Sequence, residues 1–137
     1  MAQTPNSIIT GQTPFSRTAV MTTAETAFHN PTNMVDLLLA ADNVNGAAIT
    51  RMWAIPRASV GTANNIQLYK RSGSTYTLID SALMATVTPS ASVANAKTDF
   101  GYTQDAPMTL EAGVGLAVAM GQTIANGVVV RIDGALY

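Results

Sequence analysis

The chain has 137 residues and a formal charge of −1, from 7 Lys plus Arg against 8 Asp plus Glu. Its basic residues are scattered singly, so no row of cations exists to neutralise a nucleic-acid backbone, and nucleic acid is not an expected partner. Cysteine is absent, which excludes a disulfide framework, a thiolate nucleophile and thiolate zinc ligation.

Hydrophobic residues make up 47% and charged residues 11% of the chain, roughly half the usual charged share of a soluble domain. Thr, Ser, Asn, Gln and Ala must then cover the surface. Few ions there would lose hydration when a partner arrives, which suits a subunit of a larger assembly. One core is expected, burying about two-thirds of the unfolded surface. No apolar run has transmembrane length, so no membrane partner is expected, and residues 1–11 lack the charged opening and apolar stretch of a classical signal peptide.

In chain order, residues 1–14 hold Pro5, Gly11 and Pro14 among polar residues, with Ile8 and Ile9 as the one apolar pair, and read as an extended N-terminal arm. Residues 15–137 read as a single domain. Residues 19–25 allow a helical turn, but the β-branched Thr22 and Thr23 favour a strand. The apolar run 34–40, broken only by Asp36, leads to a turn at Asn45-Gly46. A strand follows over 47–55. Strict alternation puts Ala47, Ile49, Arg51, Trp53 and Ile55 on one face and Ala48, Thr50, Met52 and Ala54 on the other. Either both faces are partly covered or Arg51 sits at a margin.

Pro56 stops that strand, and a hairpin follows. Residues 66–71 and 76–81 alternate on either side of Ser72-Gly73-Ser74. Residues 85–106 are small and polar apart from Val87, Val93, Phe100 and Tyr102, and read as a long connection holding one or two short strands. Strands are expected at 108–110, 114–120 and 128–132, with turns at Glu111-Ala112-Gly113 and Asn126-Gly127. Many short strands with no amphipathic helix predict an all-β antiparallel sandwich.

Candidate chemistry is sparse. His29 is the only histidine and would have to supply any imidazole-dependent step or metal site alone. Asp36 and Asp42, or Asp99 and Asp105, are each six apart, and nothing selects a convergent pair. Asp42-Asn43-Val44-Asn45-Gly46 lacks the spaced acids of a calcium loop and reads as a turn. Gly113-Val114-Gly115 lacks a phosphate-cradle context, and no Gly-x-Ser-x-Gly elbow occurs. No catalytic residue, cofactor or metal is therefore expected, and the chain does not read as an enzyme. Trp53 is expected in the core, and the terminal Tyr137 is a candidate contact.

The hairpin Ile66-Gln67-Leu68-Tyr69-Lys70 with Tyr76-Thr77-Leu78-Ile79, then Pro107-Met108-Thr109-Leu110-Glu111-Ala112-Gly113 and Gly127-Val128-Val129-Val130, resembles small virion proteins of tailed bacteriophages. Capsid cement, or decoration, proteins are the nearest in style, over residues 64–137. The resemblance implies a jelly-roll-like sandwich, commonly a homotrimer, clamping neighbouring subunits of the major capsid protein. It places the chain on the virion surface after assembly in the host cytoplasm. The arm with Ile8 and Ile9 is then the natural clamp, and Phe15, Tyr102 and Tyr137 are further expected contacts. A tail or baseplate component is the nearest alternative. A carbohydrate- or receptor-binding sandwich is another, if Trp53, Tyr69, Tyr76 and Tyr102 share an exposed face.

Overall fold

The structure, a computed structural model, is described for residues 12–137. Its strands are β1 (Thr13–Met21), β2 (Val35–Leu38), β3 (Ala47–Pro56), β4 (Asn64–Ser72), β5 (Thr75–Met84), β6 (Thr98–Asp99), β7 (Met108–Leu110), β8 (Gly115–Met120) and β9 (Val128–Leu136). The only helical piece among the described residues is one 3-10 turn, Ala40–Asp42. No helix there is long and apolar enough to cross a membrane.

The strands form two antiparallel sheets packed as a sandwich. The first has the order β1-β9-β3-β6, with β7 also paired to β3, and the second β2-β8-β4-β5. Pairing is nested: β4 joins β5, β3 joins β6, β2 joins β8 and β1 joins β9. The chain is thus one long hairpin, with its tip at Gly73-Ser74, whose limbs fall alternately into the two sheets. Ladders β3–β9 and β4–β8 close each sheet across the limbs. Most of these ladders join residues distant in sequence, so loop closure precedes their reward.

Between the sheets lie Met21, Leu38, Ile49, Met52, Ile66, Leu68, Met84, Leu116, Met120 and Ile132, all fully buried. Burying each such side chain contributes about 1.5–3 kcal/mol. Most come from simple alternation, as in Ile66 and Leu68 of β4 or Val128, Val130 and Ile132 of β9.

β3 departs from it. Ala47 and Ile49 are buried, yet so are Met52 and Ala54, which strict alternation assigns to the other face. A register shift between Ile49 and Arg51 resolves this: Thr50 is an extra residue, and the bulge moves the inward face by one position. Arg51 and Trp53 are thereby turned outward, so Trp53 is not the core residue that alternation suggested. Gly134 lies opposite the bulge, and any Cβ there would strike the Ala48 carbonyl. Asn126 and Gly127 form the last turn with φ of 61° and 80°, and a Cβ at 127 would meet the Met21 carbonyl at 2.5 Å.

Several boundaries move. Thr13 and Pro14, assigned to the arm, pair with Leu136 and Ala135 in β1, while Ile8 and Ile9 lie outside the described residues. The strand sought over 19–25 ends at Met21, and the last strand runs on to Leu136 because β1 and β3 flank it on both sides. Phe15 faces inward with Ala19 and Met21 and belongs to the core. It is no surface contact, because β1 turns that side of its alternation to the second sheet.

Candidate functional site

The outer face of the second sheet is covered. β8 is buried along its whole length, and β4 buries Gln67 and Tyr69 on the side away from the core. The cover is the segment 24–34. The Glu25 N–H donates to the Met120 carbonyl at 2.7 Å, and Gln67 Nε2 donates to the Glu25 carbonyl at 3.1 Å. Tyr69 Oη donates to Gln67 Oε1 at 2.5 Å, which gives both buried polar groups a partner. Met34 and Tyr76 pack on the small cluster of Tyr69, Ala117 and Ala119.

The Glu25 carboxylate is itself buried. It accepts the N–H groups of Ala27 at 2.8 Å and of Thr32 and Asn33 at 2.6 Å each, so the segment is wrapped around it. Burial pushes its pKa up, but the N–H groups of Asn33, Ala27, Thr32 and Thr26 pull harder and leave it below the ordinary value. Burial, and then the Glu25 charge, push the Tyr69 phenol up. Sequence reasoning passed over Glu25. Its only signal was a lone acid in a Thr-rich stretch next to His29-Asn30-Pro31.

The edge of this sheet is open. β5 pairs only with β4, and its sequence TYTLIDSALM contains no Lys, Arg or Pro. Leu78, Ile79 and Leu83 are 37%, 40% and 70% exposed. Asp80, its one charge, accepts a hydrogen bond from Tyr102 Oη at 2.5 Å. A bulge at Ile79, where β4 steps from Asp80 to Leu78, gives the edge its one irregularity. Two clefts flank the strand. One, about 610 Å³, lies between residues 28–32 and Tyr76 and Leu78; the other, about 380 Å³, lies beside Leu83 and residues 96–99.

The outer face of the first sheet is open and charged. Register aligns Thr18, Arg131, Trp53 and Asp99 in one row across β1, β9, β3 and β6, with Ser16, Asp133 and Arg51 in the next. The half-buried indole of Trp53 has Arg131 and Lys97 5.1 Å from its centroid and Arg51 5.7 Å away. A cleft of about 300 Å³ adjoins it, lined by Thr50, Arg51, Asp99, Tyr102 and Asp133 among others.

The remaining expected contacts are dispersed. Tyr102 is half-buried against the core, and its phenol is pushed far up by burial and by the Asp80 carboxylate it bonds. Tyr137 donates its N–H to the Gly46 carbonyl at 3.0 Å and lays its ring against Gly46. No aromatic platform forms, since Tyr69 is buried in the second sheet while Trp53 lies on the outer face of the first. His29 is exposed in the cleft of about 610 Å³ among uncharged residues. Asp36 pairs with Arg71 at 3.3 Å, and Asp99 accepts the Gly101 N–H at 2.8 Å. Asn43 ties the turn after the 3-10 segment to the β7–β8 turn through the carbonyls of Glu111 and Val114. No protein-family model, curated protein or solved structure matches this chain.

Proposed function

We propose that this chain is a non-enzymatic structural subunit that acts by packing against other protein surfaces, in the manner of a capsid cement protein of a tailed bacteriophage. The observation that carries the reading is β5: a ten-residue edge strand with three exposed large aliphatic side chains and no lysine or proline guarding it. Proteins that remain monomeric normally blunt such an edge. With only 11% charged residues, the surrounding surface offers little repulsion against association. We read the nested strand pairing as jelly-roll winding with β7 as an insertion, the architecture that the sequence resemblance implies. The virion itself rests on that resemblance.

Light scattering tests the self-association, for which a homotrimer is the expected state. The Leu83→Glu, Ile79→Lys double variant should then shift towards the 14.3 kDa monomer while keeping its circular dichroism. A wild-type monomer at high concentration would overturn the β5 reading. Quantitative mass spectrometry of purified particles tests the rest. Near-integral stoichiometry to a shell protein supports cement, and recovery with isolated tails moves the proposal to a tail or baseplate role.

A further inference from the structure

We propose that the Trp53 face of the first sheet is a second docking surface, shaped for an acidic patch on a partner protein. The inference rests on the assembly reading in naming a protein as the partner, but it comes from a different face and different residues.

The starting point is an imbalance. The chain carries only 7 basic residues, and three of them, Arg51, Lys97 and Arg131, crowd one indole. Like charges gathered this way repel one another, and opposite charge nearby relieves that repulsion. The protein provides this for one of the three. Arg131 Nε donates to Asp133 Oδ1 at 3.0 Å and to Ser16 Oγ at 3.2 Å. Asp133 lies opposite Arg51 in register, yet its carboxylate turns to Arg131. Among the described residues neither Arg51 nor Lys97 has a carboxylate partner.

Two cations without a carboxylate partner, set over the ring of a half-buried tryptophan on an open sheet face, make a contact of recognisable chemistry. The indole supplies apolar area at low entropic cost, and the guanidinium and ammonium supply donors for carboxylates. The two carboxylates within the patch, Asp99 and Asp133, separate the candidate partners. A nucleic acid would bring a dense row of phosphates against them, whereas a protein surface can set its own acids over Arg51 and Lys97 and a neutral group elsewhere. The adjoining cleft, with Thr50 and Tyr102 in its wall, admits a side chain of such a partner.

Trp53 is the only tryptophan, so its emission reports occupancy of this face directly. The full chain is titrated at low ionic strength with poly-L-glutamate, with poly-L-lysine and duplex DNA as comparators. Poly-L-glutamate should give a saturable shift in emission that weakens as salt is added. The Arg51→Gln, Lys97→Gln double variant should bind it on the order of tenfold more weakly. Both replaced side chains are exposed, and circular dichroism and melting check that the variant keeps the fold. Asp99→Asn, which removes a competing carboxylate, should bind more tightly than wild type. The proposal is overturned by no saturable shift with poly-L-glutamate, by unchanged affinity in the double variant, or by an equal response to DNA. Light scattering of the same samples separates this face from β5. Loss of poly-L-glutamate binding with self-association intact removes only the present inference, and a monomeric chain that still binds poly-L-glutamate removes only the β5 reading.

Discussion

The two sheets have similar cores but opposite outer faces. On the second sheet, β4 and β8 are buried on both sides, because residues 24–34 lie across them and bring a polar network of Glu25, Gln67 and Tyr69 under cover. On the first sheet, the outer sides of β3 and β9 are only partly covered and carry Arg51, Trp53, Arg131 and Asp133. The strands differ accordingly. β8 is the run GLAVAM, whose small outward residues Ala117 and Ala119 leave room for a covering segment, whereas β9 alternates Val and Ile with Arg131 and Asp133. The contrast teaches where this chain places its few ions: outside the first sheet they form a surface, and inside the second the one buried carboxylate is fully engaged.

A charge placed on each face should break the comparison most visibly. Ala119→Glu sets an unpaired carboxylate under the 24–34 cover and should cost about 3–5 kcal/mol in urea unfolding. Thr18→Glu, exposed and opposite Arg131 in the first sheet, should stay within about 0.5 kcal/mol of wild type. Equal losses would show that the two faces are not different in kind.

A smaller effect should follow Glu25→Gln, which removes the charge but keeps the shape of the group that organises the cover. About 1–2 kcal/mol should be lost at neutral pH, since Ala27, Thr32 and Asn33 are exposed enough for water to replace part of the bonding. The pH dependence sharpens the point. The folded pKa of Glu25 lies below its unfolded value, so the unfolded chain takes up the proton first. Its contribution is therefore complete above the ordinary carboxylate range, near pH ~4.3, and drains away as the pH falls towards the folded value. The variant should lack that part of the acid slope, as acid titration of the melting temperature checks. Identical slopes would mean the carboxylate does not hold the cover.

The smallest effect is expected for Tyr69→Phe, which keeps the apolar ring in the covered cluster but deletes the bond to Gln67. The loss should be about 1 kcal/mol by denaturant unfolding, with hydrogen exchange rising first in residues 24–34. Global exchange without a local increase would argue that the network stabilises the sheet and not the cover.

By itself the sequence determined the all-β class, the β4–β5 hairpin and the positions of most turns. Local periodicity of two and glycine or asparagine at positive φ are properties of a few consecutive residues. Only the tertiary structure decided which faces are covered. Thr50 looks like any alternating residue, and its bulge emerges only in the pairing of β3 with β9, opposite the tight approach at Gly134. That one extra residue sends Trp53 to the surface. Phe15 sits inside because β1 continues from Thr13 beside the distant β9, and Glu25 is buried because its segment crosses β8 and β4. Each of these outcomes depends on a partner tens of residues away, and a local pattern carries no record of a partner at that distance.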